Sequence, residues 1–414
     1  MTDDVLLEAV SRLGTPCYVY DADAIAERVA QTRAAFGGRC ELSYAVKANP
    51  NAALLRFLGA HADRLDVSSG GEVERAIDAG WPGDALSFTG PGKRAAELEA
   101  SVAHGVGHHV LESVEEARDL DRVAGRAGVV VPVLLRITPN TAARGFGLTM
   151  AGRPCAFGVD EDDADEAVSV IAACPNLSLR GFHVYAATQG LEVDPVVEQL
   201  RIGLALFRAR WVEDEPAEAF VLGAGFGIPC HEGERALDLG AVAAQVVPLL
   251  DAFRREARFS AATLTLEIGR YLVGEAGTYV TRVVRIKESR GRRFAICDGG
   301  MNHHLAAAGH FGAVVPRNYP LRRLGETDAP VERVELVGPL CTTIDTLGRK
   351  ARLRRLEPGD LVAIGCSGAY GRSASPLGFI SHPPPAEGLV RRTPEGVQVE
   401  VVTDGAATVS RVER

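Results

Sequence analysis

Lys47 closes the apolar run SYAVKANP, and an amine delivered at the end of a buried strand is placed to condense with a carbonyl, as a Schiff-base lysine does. Lysines also leave strand ends simply to reach water, so Lys47 alone leaves both readings open. The run Gly223-Ala224-Gly225-Phe226-Gly227 follows the strand-like AFVL, and glycines there let backbone N–H groups approach an anion. It reads equally as a plain tight turn, because the G-x-G-x-x-G spacing with its trailing acid is absent. Glu267-Ile268-Gly269-Arg270 combines a carboxylate, a close-approach glycine and a guanidinium, a set that suits a ligand carrying a basic nitrogen and a phosphate. A salt-bridged strand end is the alternative. His183 and Tyr185 lie two apart on one strand, project from one face and can lie against a flat ring, or be a core histidine and a packed tyrosine. Cys341 in VGPLCTTID and Tyr370 in CSGAYGRSAS sit beside glycines that mark exposed turns, where a thiol in a polar setting can act as an acid and in an apolar one is inert packing.

Short β-rich runs bring these residues to element ends: LSYAVK at 42–47, RLDV at 64–67, ALSF at 85–88, GHHVL at 107–111, VVPVLLRI at 130–137, LSLRGFHVY at 177–185, AFVL at 219–222 and TLTLEI at 263–268. Helical spacing of apolar residues fills Gly71–Ala79, Ala95–His104, Val114–Ala124, Val196–Arg210 and Ala241–Arg255 between them. Eight strand–helix units are the count of a (β/α)8 barrel, whose active sites lie at the C-terminal rim of the strands; a doubly wound sheet is the alternative. Beyond residue 278 strand-like stretches such as TYVTRVVRI, RRFAICDGG, ERVELVGPL and DLVAIGCSG predict a mostly antiparallel β domain, which the early strand TPCYVYD joins. The expected domains are a barrel over 23–277 and a β domain of 1–22 plus 278–414, with the long loop from Asn140 to Asp165 at the site.

With 54 acidic against 45 basic side chains and a formal charge of −9, the chain lacks the electrostatic footprint of a nucleic-acid binder. Its eight cysteines are scattered without a C-x-x-C pair, which suits reduced thiols in a cytoplasm, and no metal is expected. MTDDVLLEAV has no basic region followed by an apolar stretch, and no uncharged apolar run reaches about 18 residues, so neither an export signal nor a membrane span is expected.

Taken together, TPCYVYD, YAVKANP, DVSSGGE, GFHVYAATQ, GAGFG, EIGR, DGGMN, GPLC and GAYG, in that order along nearly the whole chain, resemble the fold-type III decarboxylases that use pyridoxal 5'-phosphate (PLP), the family of diaminopimelate and ornithine decarboxylases. The resemblance implies an alanine-racemase-like (β/α)8 barrel with a second β domain, and PLP held as a Schiff base on Lys47. It also implies that Asp66, His183, Tyr185, Thr188, Gly225, Gly227, Gly269, Arg270 and Tyr370 surround the cofactor, with Glu267 facing the pyridine nitrogen. Cys341 would be the proton donor, reaching across a homodimer with shared active sites. Arg270, His310, Thr342, Asp345 and Tyr370 would line the substrate.

The departures from the family pattern bear on the substrate. Tyr185 stands where the family has a ring-stacking histidine and Thr188 where it has a serine, so either Tyr185 or His183 takes the stacking role. Where the family's arginine, tyrosine and glutamate hold the charged far end of diaminopimelate, this chain has Ala306, His310 and Thr342. A doubly charged distal end would be desolvated without partners there. The wording of GPLCTTID, GAYGRSASPLGFISHP and GLTMAGRPCAFGVD is closer to exosortase-associated enzymes and to decarboxylases of a glutamyl unit carried as a thioester on an acyl carrier protein, whose γ-thioester leaves the far end uncharged. Carrier proteins are acidic, and Arg317, Arg322, Arg323, Arg349, Lys350, Arg352, Arg354 and Arg355 offer a basic landing surface, or are a solvated face. The expected substrate is thus an α-amino acid whose far end is neutral or tethered, a small molecule or an acyl-carrier-protein-bound aminoacyl group, with a carrier-bound glutamyl thioester as the concrete expectation. The alternatives are a free-amino-acid decarboxylase of diaminopimelate type, a non-catalytic PLP-binding homologue and a racemase-like activity.

Overall fold

The computed structural model describes residues 1–212, 216–312 and 316–402. The described chain divides into two compact units, one of Ala26–Pro229 and Glu234–Leu272, the other of Met1–Ile25, Cys230–Gly233 and the residues from Val273 on. Against the expected spans of 23–277 and its flanks, the division assigns residues 23–25, 230–233 and 273–277 to the second unit.

The first strand, β1 (Cys17–Asp21), belongs to that second unit. The other unit is a closed parallel barrel of β2 (Glu41–Ala45), β3 (Arg64–Val67), β4 (Leu86–Phe88), β5 (His108–Leu111), β6 (Val131–Thr138), then, after the short β7 (Leu148–Thr149) and β8 (Val159–Asp160), β9 (Leu177–Val184), and after β10 (Ala187–Thr188), β11 (Ala219–Gly223) and β12 (Thr263–Ile268). The order β5-β4-β3-β2-β12-β11-β9-β6 closes through β5–β6, which excludes the open doubly wound sheet. Buried on both faces, these strands read as nearly continuous apolar runs. Lys47 lies just beyond its strand, in a 3-10 turn, Val46–Ala48, that follows β2.

Helices return the chain after each strand, and Asn51, Ser69, Ser113 and Asp238 start four of them by accepting the backbone N–H three residues on. Behind β9 and β11 an aromatic cluster of Phe182, Phe207, Phe220, Phe253 and Phe259 is fully buried, with Phe207 and Phe220 stacked at 4.6 Å between centroids. Each such side chain contributes about 1.5–3 kcal/mol over its exposed state, which holds the rim residues of those strands in register. The loop expected between Asn140 and Asp165 is not structureless: β7 pairs with β10, and β8 extends β6.

In the second unit β1 lies between β13 (Gly277–Ser289), antiparallel, and β19 (Ala386–Thr393), parallel. The sheet continues through β14 (Arg292–Cys297), β16 (Val331–Val337) and β17 (Thr346–Arg354) on one side and β20 (Gly396–Val402) on the other, with β18 (Leu361–Ile364) on β13 and β15 (Leu321–Arg323) on β18. Most of these pairings are antiparallel; the helix Asp3–Leu13 buries Val5, Leu6, Ala9 and Val10 against Val19, Val280, Ala363 and Val390 of this sheet. All eight cysteines are unpaired, and among the described residues no helix is long and apolar enough to cross a membrane.

Candidate active site

Parallel strands present all their C-terminal ends at one rim, and the two strands flanking β2 each supply a carboxylate to Lys47. Asp66 of β3 accepts from Lys47 Nζ at 2.7 Å, and Glu267 of β12 accepts at 3.1 Å. Both carboxylates are buried, while the Lys47 side chain keeps 37% of its exposure, so of the three groups the lysine is the one open to a ligand. Thr89 Oγ1 donates to the second oxygen of Asp66 at 2.7 Å, and His183 Nε2 lies 2.9 Å from the second oxygen of Glu267.

The electrostatics divide the two acids. Burial, and then the neighbouring Glu267 charge, push Asp66 up to about 7. Burial acts on Glu267 in the same sense, but the Lys47 ammonium and the hydrogen bond from His183 outweigh it and hold the acid below the usual carboxylate range. Burial also lowers the His183 pKa, so the ring is neutral; facing an ionised carboxylate it carries its proton on Nε2. Its buried Nδ1 has no hydrogen-bond partner among the described residues. Tyr185, one residue past β9, brings its ring centroid to 5.7 Å from Lys47 Nζ.

The glycine run after β11 is crowded by protein. Gly225 has a left-handed φ of +67°, and a Cβ there would lie 2.7 Å from both Ala187 O and Gln199 Nε2, so only glycine fits. Gly227, expected to face an anion, instead donates its backbone N–H to Gly190 O at 2.8 Å and fixes the run against that segment. Gly269 packs on Ala45 and Ala48, which seats the turn bearing Lys47, and the half-buried Arg270 opens the short helix Arg270–Val273. Thr188 lies in the β7–β10 ribbon opposite Leu148.

A second charged cluster went unseen in the sequence. Lys93, 1% exposed, donates to Glu116 Oε1 at 2.6 Å and to two carbonyls, Gly90 O and Val110 O. Arg136 donates to Glu112 at 2.9 Å, and Glu112 also accepts from Gly90 and Gly158 N–H. Arg136 stands opposite His183 in the β6–β9 register and pins the end of the Asn140–Asp165 loop by lying over Phe157. The one available signal was an arginine inside the apolar strand VPVLLRIT.

In the β unit, Cys341 is exposed on the turn between β16 and β17. Tyr370 is held at a left-handed φ of 52°, with its ring 5.8 Å from that of Phe311. Thr342 is half-buried, Ala306 buried, and His310 Nε2 lies 3.1 Å from Ile344 O. Asp345, expected to touch substrate, is 3% exposed and both its oxygens accept backbone N–H, from Met301 at 2.6 Å and Leu340 at 2.9 Å. It braces the Cys341 turn from within. Among the described residues no three His, Cys, Asp or Glu side chains are grouped to hold a metal.

An accessible amine over two buried carboxylates, one of them held ionised, with a histidine behind it, fits a cofactor that offers an aldehyde to the amine and a basic nitrogen to the acid. Comparison with known proteins points the same way. The family described as pyridoxal-dependent decarboxylase, pyridoxal binding domain, matches residues 22–274. The L-glutamyl-[BtrI acyl-carrier protein] decarboxylase of Niallia circulans is 35% identical over 385 residues, covering 92% of this chain and 90% of that protein. Diaminopimelate decarboxylase of Neisseria meningitidis serogroup B is 34% identical over 362 residues, 87% of this chain and 84% of its own length. The crystal structure of diaminopimelate decarboxylase from Helicobacter pylori complexed with L-lysine superposes with a TM-score of 0.84 at 27% identity, over 96% of this chain and 97% of that one.

Proposed function

Because this chain belongs to the pyridoxal-dependent decarboxylases and is a PLP-dependent enzyme of that family, we propose that it removes the α-carboxylate of an aminoacyl group whose far end is tethered, a glutamyl thioester on an acyl carrier protein. One contrast carries the reading: Lys47 is held by two buried carboxyl groups, one of them ionised, whereas the positions that would hold a charged far end are Ala306, His310 and Thr342. A tethered acyl group needs no ionic anchor there, and a free zwitterionic end would lose hydration without compensation. The relative from Niallia circulans supports the same substrate class.

Bound PLP supplies an electron sink for the pair released as carbon dioxide leaves. Lys47 is the amine that bonds to the cofactor. Glu267, held ionised, keeps a ring nitrogen protonated, and His183 fixes the Glu267 carboxylate by its second oxygen. That commitment leaves Tyr185, whose ring already faces Lys47, as the flat surface against the cofactor. Gly225 and Arg270 would hold the phosphate at the barrel rim, with Tyr370 supplied by a second copy of the chain, while Gly227 supports the turn. The exposed Cys341 returns a proton to the α-carbon, brought by a second copy of the chain in a homodimer, and Thr342 and His310 line the far end.

The test is carbon dioxide release from the PLP-loaded enzyme, compared between glutamyl-loaded carrier protein and free diaminopimelate, lysine, ornithine and glutamate. Loaded carrier is expected to exceed every free amino acid in kcat/KM by about 100-fold or more. Faster turnover of free diaminopimelate would support a second reading, a diaminopimelate decarboxylase with a rearranged pocket, which the Neisseria relative favours at nearly equal identity.

A further inference from the structure

The structure sorts the cations that the sequence grouped into one basic stretch. Arg322 pairs with Asp3, Arg323 with Asp360 and Arg355 with Glu357, and both terminal nitrogens of Arg349 donate to Ala308 O. These are neutralised or tied down. Of that group Lys350 and Arg352 are exposed with no ion pair among the described residues, Arg354 reaches only a backbone carbonyl, Ala329 O, and Arg333, which the sequence grouping did not include, joins them, exposed and likewise without an ion pair. The carboxylates on β16 itself are spoken for, Glu332 by Arg293 and Glu335 by Arg292.

Their arrangement is unfavourable for an isolated sheet. Arg333 and Arg352 stand directly opposite each other in the β16–β17 register, where like charges repel. The register shifts beside Glu335, and Lys350 takes a left-handed φ of 46°. A bulge of this kind re-aims a side chain, here a third cation onto the exposed face. Val331, across from Arg354 and 51% exposed, adds an apolar contact. Arg333, Lys350, Arg352 and Val331 line a concavity of about 840 Å³, where Glu232 is the carboxylate among the described lining residues. Arg352, Arg354 and Val331 continue into a second concavity of about 540 Å³, whose lining also includes Arg322, Arg323, Glu326 and Asp328, so its charge is mixed and the cationic face is centred on Arg333, Lys350 and Arg352.

We propose that this face of the β16–β17 hairpin docks the acidic surface of an acyl carrier protein. The inference rests on the carrier-bound reading above and adds where the carrier sits. Unpaired cations in a chain of net charge −9 are a local exception to its field, and they complement a protein whose surface is acidic. The same hairpin ends in the Cys341 turn. From Arg352 to Thr346, where β17 begins, the bulged strand spans at most about 20 Å, within reach of a pantetheine arm extending from a docked carrier toward that turn.

The experiment compares PLP-loaded wild type, R333E/R352E and R333Q/R352Q on γ-glutamyl thioester carried by an acyl carrier protein and on the same thioester of pantetheine alone. For the carrier form, R333E/R352E is expected to raise KM at least 10-fold with kcat retained, R333Q/R352Q to raise it less, and salt to weaken wild type most. KM for the pantetheine thioester is expected to stay within 2-fold, which also reports that the variants fold; R352Q alone carries the test should the double variants not fold. A wild type that prefers the carrier form, with variants that keep its KM, would overturn the docking face and leave the functional reading standing. A wild type that ignores the carrier overturns both. A change of oligomeric mass on charge reversal, read by light scattering, would assign the face to a second copy of the chain and overturn the proposal.

Discussion

The barrel rim and the Cys341 turn are built on opposite principles. Around Lys47, each carboxylate oxygen described has a partner: Asp66 has Lys47 and Thr89, and Glu267 has Lys47 and His183. Removing one member leaves a buried charge uncompensated, so such a network resists substitution. The Cys341 turn is exposed, Thr342 on it and His310 beside it are not buried, and its shape depends on Asp345 bonding to backbone rather than on the identity of its neighbours. The contrast teaches that the chemistry common to the family is locked in the barrel, while substrate choice can drift on a turn that keeps its form whatever residues it displays.

The largest expected effect follows from breaking the locked side. Lys47→Ala should lower kcat by about 1000-fold or more and abolish the phosphopyridoxyl label that borohydride leaves on the peptide spanning Tyr44 to Asn49. A stoichiometric label on a different peptide of the variant, or wild type in which the Tyr44–Asn49 peptide stays unlabelled, would show that another amine carries the cofactor. Next comes Glu267→Gln, which keeps the shape and removes the charge Lys47 and His183 hold in place. About 100–1000-fold loss in kcat is expected, with cofactor binding largely kept. A loss below 10-fold would mean that this carboxylate does not stabilise charge during the reaction.

Substitution on the adaptable side should move specificity rather than rate. Thr342→Glu adds an acid where a free substrate's distal amine would lie, and about 10-fold better kcat/KM for lysine or ornithine is expected, with the carrier-bound substrate weakened. Unchanged ratios between free and carried substrates would place the far end elsewhere.

The same division decided what could be read before any coordinates. The eight barrel strands were visible because strands buried on both faces are apolar throughout, and LSYAVK, AFVL and TLTLEI need no partner to be recognised. Helices without a clean apolar stripe, such as Ala22–Ala35 with its repeated alanines, were not named. Lys47, Asp66 and Glu267 emerged through motif order, yet nothing in their local sequence says that two of them touch the first across 19 and 220 positions. Asp345 was misread because an aspartate in a turn looks the same whether it meets a ligand or two backbone N–H groups; burial, a tertiary quantity, separates the cases. Lys93, Glu112, Glu116 and Arg136 were missed for the same reason, as residues that acquire meaning only where strand ends converge.

The smallest effect probes the barrel network without turnover. Unfolded, Asp66 titrates near 4; in the folded protein burial and Glu267 push it up to about 7. Between those values the folded chain keeps a proton that the unfolded chain has released, so the stability this group contributes is fully present below about 4 and is lost as pH rises through about 7. Glu267, shifted the other way, contributes stability that is present above the unfolded carboxylate value and lost only on acidification below it, outside this window. Buried histidines such as His109 and His304, lowered by burial to about 3, act with the opposite slope over part of the range, so the informative quantity is the difference between wild type and Asp66→Asn. In cofactor-free protein, the Tm of the variant relative to wild type should rise steadily from pH 5 to pH 7.5. Parallel Tm curves over that interval would mean that Asp66 is already ionised at pH 5, and that the amine of Lys47 faces two full negative charges rather than one.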